Sequence, residues 1–345
     1  MSRNNSRTLI IISLILLLSL TGLYLCHMRN TEASEDFFAM DTIMSLQAYG
    51  KDADKALADA RAAILDLDTT LSVTNMDGSI YKLNSTGSCD LNDDLQYLLE
   101  RSIEIKEMTD GAFNICIYPV IKEWGFTDGN YRVPDEAAVS ELCKLVNTSE
   151  ISVNTTDNTV SLSDGAMIDL GGIAKGYASM KVRDILKDRG INSALINLGG
   201  NVCVIGSKPD GSPFSIAIKN PEPDDTGVST FTGVLKVSDK CVITSGGYER
   251  YFEKDGLIYH HIIDPSTGYP ADAGLKSVTI VSDDPTLADA LSTAVYVMGK
   301  DRAVDLWHTM RDRFELVLLS DTGELYITEG LKDCFTSEFE YMIIK

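Results

Sequence analysis

The chain has 345 residues, which is enough for one large domain or two small ones. Its formal net charge is -21, with 51 Asp and Glu against 30 Lys and Arg, and this acidity excludes the basic surface that binds nucleic acid. Hydrophobic residues account for 44% of the sequence, so the chain can bury a substantial core. We therefore expect a folded protein without a nucleic-acid partner.

The N-terminus has the order of residues that is typical of an export signal or a membrane anchor. Two arginines precede an apolar run over residues 9–26, whose length is near the lower limit of ~18 residues for a membrane-spanning helix. Cys26 ends the run, so an uncleaved anchor, a lipid-attached cysteine and a buried N-terminal helix are the alternatives. We predict an anchor over 1–28, a linker over 29–36 and a body outside the cytoplasmic membrane.

Helical spacing of apolar residues dominates the first part of the body. Leu57, Ile64 and Leu71 recur on one face of a predicted helix over 52–71. The apolar stretch 111–126 is predicted to be a loop. The other predicted elements of this part are a strand over 37–50, helices from Asn92 to near Asp110 and from Asp135 to Leu145, and a hairpin over 150–168.

A glycine-rich stretch at the centre of the chain, Asp169 to Gly206, carries a chemical signal. Its first letters, DLGGIAKGYA, place a glycine pair, Lys175 and a third glycine at the start of a helix that Gly190 ends. Such a turn offers free N–H groups and the positive end of the helix dipole, which suits a phosphate. The pattern matches neither the P-loop nor the dinucleotide fingerprint. A diphosphate-bearing ligand is one interpretation, and an ordinary strand-to-helix turn with a solvated lysine is the other.

Short strands dominate the second half of the chain. Asp255-Gly256 marks a hairpin turn, and a helix is predicted over 286–299. Long helices mixed with hairpin-paired strands indicate an α+β fold with a mainly antiparallel sheet, and no composition break divides residues 37–345. The predicted strands of this half are 193–198, 202–206, 214–219, 231–237, 275–281 and a pair around Asp321-Thr322-Gly323.

The predicted helix over 286–299 carries a possible metal site. Asp289 and Thr293 are four residues apart, so their side chains leave the helix on the same face. One carboxylate and one hydroxyl make a partial site for Mg²⁺, which prefers oxygen ligands and often binds substrate phosphates as well. The alternative is an acidic residue favoured by the helix dipole, with Thr293 packed in the core.

The stretch HHIIDPSTGYP, residues 260–270, concentrates two of the four histidines of the chain. A histidine is the natural proton acceptor near neutral pH. The alternative is a strand followed by a turn that Asp264 caps. The stretch TSGGYER, residues 244–250, lacks the glycine that precedes the serine of a hydrolase elbow, so a serine hydrolase is disfavoured.

The seven cysteines form no C-x-x-C pair, which argues against a zinc knuckle or a thioredoxin motif. Several of them lie in apolar strand or helix patterns, as buried thiols do. We predict that the chain has no disulfide framework.

Seven segments taken together resemble the ApbE family, the FAD:protein FMN transferases. The resemblance runs from about residue 37 to near the C-terminus, and the order and spacing of the segments make it specific. It implies a duplicated α+β unit of the T-fold type and an exported protein, often a membrane-anchored lipoprotein. The segments are Met40-Asp41-Thr42, GAFNICIYP, DLGGIAKGYA, NLGGN, TSGGYER, HHIIDPSTGYP and ADALSTA.

The resemblance also implies a reaction: Mg²⁺-dependent transfer of FMN from FAD to a Ser or Thr hydroxyl of an acceptor flavoprotein, with release of AMP. The acceptor would belong to a membrane or extracellular electron-transfer system. By similarity, His261 assists the incoming hydroxyl. The metal ligands implied are the Gly172 main-chain oxygen, Asp289 and Thr293. The FAD contacts implied are Met40, Ala112, Phe113, Asn114, Asp169, Lys175 and Ile263.

Some positions depart from the family pattern, and two alternative functions use the same residues. Asn114 and Asn201 stand where the family commonly has Asp, which concerns flavin contacts rather than the proposed metal ligands. A Mg²⁺-dependent FAD pyrophosphatase would use water in place of the acceptor hydroxyl. A non-catalytic flavin-binding lipoprotein would need no metal ligands, so the complete set favours an enzyme.

Overall fold

A computed structural model of the protein describes residues 31–222 and 230–345. The predicted anchor over 1–28, Cys26 and the first two residues of the predicted linker lie outside the described residues. In the part of the chain that is described, no helix has the length and apolarity needed to cross a membrane.

The described chain contains both helices and strands, and a run of strands over 193–282 has no helix among its described residues. The strands are β1 Glu32–Ala39, β2 Thr42–Tyr49, β3 Ser88–Asp90, β4 Ile151–Asn154, β5 Thr159–Leu162, β6 Ser193–Leu198, β7 Asn201–Ile205, β8 Phe214–Lys219, β9 Phe231–Val237, β10 Cys241–Gly246, β11 Tyr251–Lys254, β12 Leu257–His260, β13 Leu275–Ser282, β14 Phe314–Ser320, β15 Leu325–Thr328, β16 Phe335–Thr336 and β17 Tyr341–Ile344. The helices are α1 Ala53–Leu71, α2 Ser79–Thr86, α3 Asp93–Met108, α4 Tyr118–Glu123, α5 Glu136–Thr148, α6 Ala174–Asp188, α7 Pro285–Met298 and α8 Lys300–Thr309.

A nine-stranded sheet organises the fold. Its strands lie in the order β1-β2-β6-β7-β10-β13-β14-β15-β17, and neighbouring strands are antiparallel except for β15 and β17. The mixed α and β content and the mainly antiparallel sheet confirm the coarse prediction. The internal duplication of a T-fold unit stays a prediction.

The two faces of the large sheet bury different layers. On one face α1 packs against β1 and β2, α6 against β6 and β7, and α7 against β10 and β13. The small sheet of β8, β9 and β16 covers part of the other face through a second apolar cluster. Because α7 packs against the sheet and also against α6 and α8, nearly all of its residues are buried, polar ones included.

Side-chain caps fix the starts of α3, α5 and α7. The Asn92 side chain accepts a hydrogen bond from the Leu95 N–H at 2.8 Å, which confirms the predicted start of α3. Asp284 caps α7 in the same way through the Leu287 N–H at 3.0 Å. Pro285 occupies the first turn of α7, where the missing N–H of a proline leaves no bond unmade.

The N-terminal predictions need two corrections. Residues 37–50 are not one strand but parts of a hairpin, because Met40 and Asp41 both take left-handed backbone conformations with φ of 46° and 60°. The predicted linker over 29–36 is also wrong from Glu32 onward, since β1 begins there. β1 is the edge strand of the sheet, and its exposed face carries mostly polar residues. This polar composition is the reason that the sequence resembles a linker.

The predicted loop over 111–126 is partly helical. A 3-10 turn over Ile115–Ile117 leads into α4, whose first turn tolerates Pro119. Trp124 follows α4 and is fully buried, and its indole N–H donates to the Gly268 carbonyl at 2.8 Å. The long-range contacts of Trp124 thus stabilise a helical conformation in a segment whose local sequence favours a loop.

The expectation of a chain without disulfides is also wrong. Cys203 on β7 and Cys241 on β10 lie directly opposite each other, with Cα atoms 4.0 Å apart, and form a disulfide. The two cysteines are 38 residues apart in sequence, so only the pairing of β7 with β10 brings them together. The free cysteines among the described residues are Cys89, Cys116, Cys143 and Cys334.

Replacing both Cys203 and Cys241 by alanine should lower the free energy of unfolding by about 2–4 kcal/mol, since the disulfide closes a long loop in the unfolded chain. Urea unfolding of the protein and its variants measures the difference. Cys116→Ala is the matched control, because Cys116 is buried but free. Equal stability of the double variant and the control would contradict a stabilising role for the bond.

Candidate active site

One cavity of about 880 Å³ collects the residues that the sequence singled out. The β1–β2 turn, the glycine turn before α6, the turn between β6 and β7 and the middle of α7 all contribute to its wall. Its volume is typical of sites that bind a ligand of dinucleotide or drug size. Every predicted site residue lines it: Met40, Ala112, Phe113, Asn114, Asp169, Gly172, Lys175, His261, Ile263, Asp289 and Thr293.

The glycine turn before α6 lies against α7. The Asp169 carboxylate accepts a hydrogen bond from the Gly171 N–H at 2.8 Å, which shapes the turn. A Cβ added at Gly172 would lie 3.5 Å from the Thr293 hydroxyl oxygen and 3.2 Å from the Phe113 ring. The bare backbone of Gly172 therefore faces Thr293, although the two residues are far apart in the sequence.

Asp289 is held beside the same turn by two hydrogen bonds. The Gly176 N–H donates to its Oδ2 at 2.8 Å, and the Asn201 side-chain amide donates to its Oδ1 at 2.8 Å. Only 3% of Asp289 is exposed. The structure thus brings Asp289, Thr293 and Gly172 together at one wall of the cavity.

A glycine at position 176 permits this contact. A Cβ there would meet the Pro285 carbonyl oxygen at 2.3 Å and the Asp289 Cβ at 2.6 Å. Replacing an exposed helical glycine by alanine normally raises the free energy of unfolding by up to ~1 kcal/mol. Here we expect Gly176→Ala to lower the free energy of unfolding by roughly 1–3 kcal/mol, because the added methyl group overpacks the contact. Urea unfolding measures the change, with Ser85→Ala on the exposed side of α2 as a control. A stabilised Gly176→Ala variant would contradict the close packing of α6 on α7.

The donor set at this wall suits a hard divalent cation. It offers a carboxylate, a hydroxyl and a main-chain carbonyl, which are oxygen ligands of the kind that Mg²⁺ takes. Among the residues described, no group of three or more His, Cys, Asp or Glu is placed to hold a metal ion. A site with a single carboxylate is compatible with Mg²⁺, which commonly completes its coordination with water and substrate phosphates.

His261 enters the cavity directly after β12. Its Nδ1–H donates to the Arg250 carbonyl at 3.0 Å, and its backbone N–H donates to the same oxygen at 3.1 Å. Because a carbonyl only accepts, the proton lies on Nδ1 and Nε2 keeps a free lone pair. Burial lowers the pKa of His261 to about 4, and the positive charges of Arg250 and Lys175 act in the same direction. The imidazole is therefore neutral near pH 7 and can accept a proton.

The other histidine of the pair has a different environment. His260 Nε2 lies 3.1 Å from the Ala271 carbonyl, and its ring meets the Tyr296 ring edge-on at 5.4 Å. It does not line the cavity. Asp264 caps its own turn, as the structural alternative predicted, by accepting from the Ser266 N–H at 2.8 Å. Of this segment, His261 is the residue with a proton-accepting atom at the cavity.

Both signs of charge occur in the cavity wall. Burial raises the pKa of the Asp169 carboxyl, against the opposing effects of the Gly171 N–H and of the positive Arg250 and Lys175. Burial also raises the pKa of Glu249, and Lys175 again opposes the change. Lys175 and Arg250 thus lie near the glycine turn, where an anionic diphosphate would gain from their charge.

Several wall residues were not assigned a role from the sequence. Glu249 and Arg250 belong to TSGGYER. Their two opposite charges shortly after a glycine pair are the feature of the sequence that could have marked them as site residues. The Arg250 guanidinium lies 5.9 Å from the centre of the Phe126 ring, which also lines the cavity. Asp68 on α1 accepts from the Met40 N–H at 3.0 Å and supports the strained β1–β2 turn. In the sequence, the position of Asp68 on the predicted helix over 52–71 is the feature that could have suggested a role for it.

Comparison with known proteins identifies the family. The sequence profile of the ApbE family matches residues 40–318. The chain is 34% identical over 301 residues to the FAD:protein FMN transferase of Treponema pallidum, which covers 81% of this chain and 82% of that protein. It is 39% identical over 194 residues to the FAD:protein FMN transferase of Klebsiella pneumoniae, a match that spans 56% of this chain and only 58% of that relative.

A solved structure extends the similarity to the fold. The ApbE protein of Thermotoga maritima superposes with a TM-score of 0.81 at 32% identity, and the match covers 88% of this chain and 99% of that one. The α+β body with its mainly antiparallel sheet is therefore an architecture that the two proteins share. This chain belongs to the ApbE family.

Proposed function

We propose that this protein transfers FMN from FAD to the hydroxyl of a Ser or Thr in an acceptor protein and releases AMP. The observation that carries the proposal is the convergence of the family's motifs on one cavity, which is lined by oxygen ligands, a lysine and a neutral histidine. Relatives that carry the name FAD:protein FMN transferase support the same activity.

Mg²⁺ would be held by the Gly172 carbonyl oxygen, the Asp289 carboxylate and the Thr293 hydroxyl. When bound, the ion neutralises charge on the diphosphate and makes its phosphorus a better electrophile. Lys175, at the first turn of α6, would add positive charge to the same oxygens.

The FAD contacts proposed are Met40, Ala112, Phe113, Asn114, Asp169, Lys175 and Ile263, all in the cavity wall. The Asn114 side chain is already engaged, since its Oδ1 accepts from the Cys116 N–H at 3.0 Å and its Nδ2 donates to the Val146 carbonyl at 3.4 Å. An amide can both accept and donate in this position, whereas an aspartate could only accept. Asn114 would therefore shape the flavin site mainly through its backbone.

His261 would remove the proton from the acceptor hydroxyl. As the hydroxyl oxygen forms its bond to the FMN phosphorus, the proton moves to Nε2 of His261, and the bond between phosphorus and the bridging oxygen breaks. The electron pair of that bond leaves with AMP. The Arg250 carbonyl keeps the histidine in the required tautomer and stabilises the imidazolium that forms.

The experiment that tests the proposal uses the protein with FAD, Mg²⁺ and a peptide that contains a Ser/Thr flavinylation segment. A mass increase of one FMN on the peptide, together with stoichiometric AMP, is the expected result. Free FMN and AMP without a peptide adduct would show a pyrophosphatase instead. Tight FAD binding without turnover would show a flavin-binding protein.

We further propose that the protein is anchored in the cell membrane through its N-terminus, with the active body extracytoplasmic. The basic and then apolar sequence of residues 1–28 supports this location. The acceptor would then be a flavoprotein of a membrane or extracellular electron-transfer system. Membrane fractionation of the full chain and of its Cys26→Ser variant tests the anchor and the lipid attachment together.

A further inference from the structure

The Asp289 carboxylate has a partner that lies outside the sets of metal ligands and FAD contacts. The Asn201 side-chain amide donates to Asp289 Oδ1 at 2.8 Å, opposite the Gly176 N–H on Oδ2. Both side chains are buried, with 3% of each residue exposed. Asn201 also lines the cavity, so the contact lies at its wall rather than deep in the core.

The backbone fixes the position of Asn201. It is the first residue of β7 and pairs with Leu198 across a two-residue turn. Gly199 takes a φ of +63° there, and a Cβ on it would meet the Thr42 side chain at 2.4 Å. The Asn197 side chain closes the turn by accepting from the Gly200 N–H at 2.9 Å. A rigid turn thus aims the Asn201 amide at α7.

We propose that Asn201 is a positioning residue for the Asp289 carboxylate in the metal site, an inference that rests on the proposed function. Together with the Gly176 N–H it holds both carboxylate oxygens, so the carboxylate keeps one orientation toward Thr293 and Gly172. The remaining lone pairs of the two oxygens stay available to a cation.

The chemistry of the amide suits this role. A lysine at position 201 would offset the negative charge of the one proposed carboxylate ligand. A neutral amide orients the carboxylate and leaves its charge intact. Residues that orient a metal ligand typically contribute 10–100-fold to metal affinity.

The test measures Mn²⁺ binding to the apo-protein by electron paramagnetic resonance, in the wild type and in the variants Asn201→Ala and Asn201→Leu. We expect both variants to bind Mn²⁺ about 10–100-fold more weakly. The Mg²⁺ concentration for half-maximal FMN transfer should rise by the same factor, while kcat at saturating Mg²⁺ changes less. Asn192→Ala is the matched control, because Asn192 is an exposed asparagine outside the cavity wall, and its side chain donates to the Gly190 carbonyl rather than to Asp289.

Three results would overturn the inference. If both Asn201 variants bind Mn²⁺ with wild-type affinity, the role of Asn201 is overturned and the proposed function stays intact. Loss of the fold in both variants, seen by circular dichroism, would show that the contact serves stability instead. A wild-type protein that binds no Mn²⁺ would overturn the metal assignment of the proposed function and this inference with it.

Discussion

Asp289→Ala is expected to lower the rate of FMN transfer by roughly 10²–10³-fold, because the proposed site has one carboxylate and loses its only anionic ligand. The variant also leaves the Gly176 N–H and the Asn201 amide without their acceptor, which lowers stability. Asp289→Asn keeps the size of the side chain and separates the two effects. We expect it to lose activity to a similar extent while its unfolding midpoint stays closer to that of the wild type.

The matched control for these variants is Asp301→Ala. Asp301 is an acidic residue in the first turn of α8, its side chain is 97% exposed, and it is not part of the cavity wall. Its replacement should leave FMN transfer unchanged. The measurement is the initial rate of AMP release at several Mg²⁺ concentrations. Wild-type rates in folded Asp289→Asn would exclude Asp289 as a metal ligand.

Transfer should depend on pH through His261. Since burial lowers its pKa to about 4, the neutral base predominates at all higher pH values. We expect kcat/KM to stay flat from neutral pH down to about 5 and to fall below that, with a midpoint near 4. An unperturbed histidine would place the midpoint near 6.5. His261→Gln should lower the rate by about 10²–10⁴-fold and remove this dependence.

The same shift in pKa affects stability. The unfolded chain binds the proton of His261 near pH 6.5, whereas the folded chain binds it near 4. The stabilising effect of the neutral ring is therefore present above pH 6.5 and is lost as the pH falls toward 4. Urea midpoints at several pH values test this, with His308→Gln on the exposed surface of α8 as a control. A wild-type rate profile with a midpoint near 6.5 would contradict the lowered pKa of His261.

Local features of the chain predicted several element boundaries correctly. The cap at Asn92, the hairpin turn at Asp255-Gly256 and the stop at Gly190 all lie where the structure has them. These signals are reliable because each depends on a few neighbouring residues. The polar edge strand β1 and the Pro-containing helix α4 were missed, because their neighbours in space compensate for an unfavourable local sequence.

For the site, the resemblance to the ApbE family named residues that the structure places around one cavity, and their roles stay predictions. The sequence could not show that Asn201 bonds to Asp289, that the Arg250 carbonyl sets the tautomer of His261, or that Cys203 meets Cys241. The Asn201 and cysteine contacts join residues remote in sequence, and the Arg250 contact spans a hairpin. Strand order and the packing of α6 on α7 bring these groups within bonding distance, and only the folded backbone holds them there.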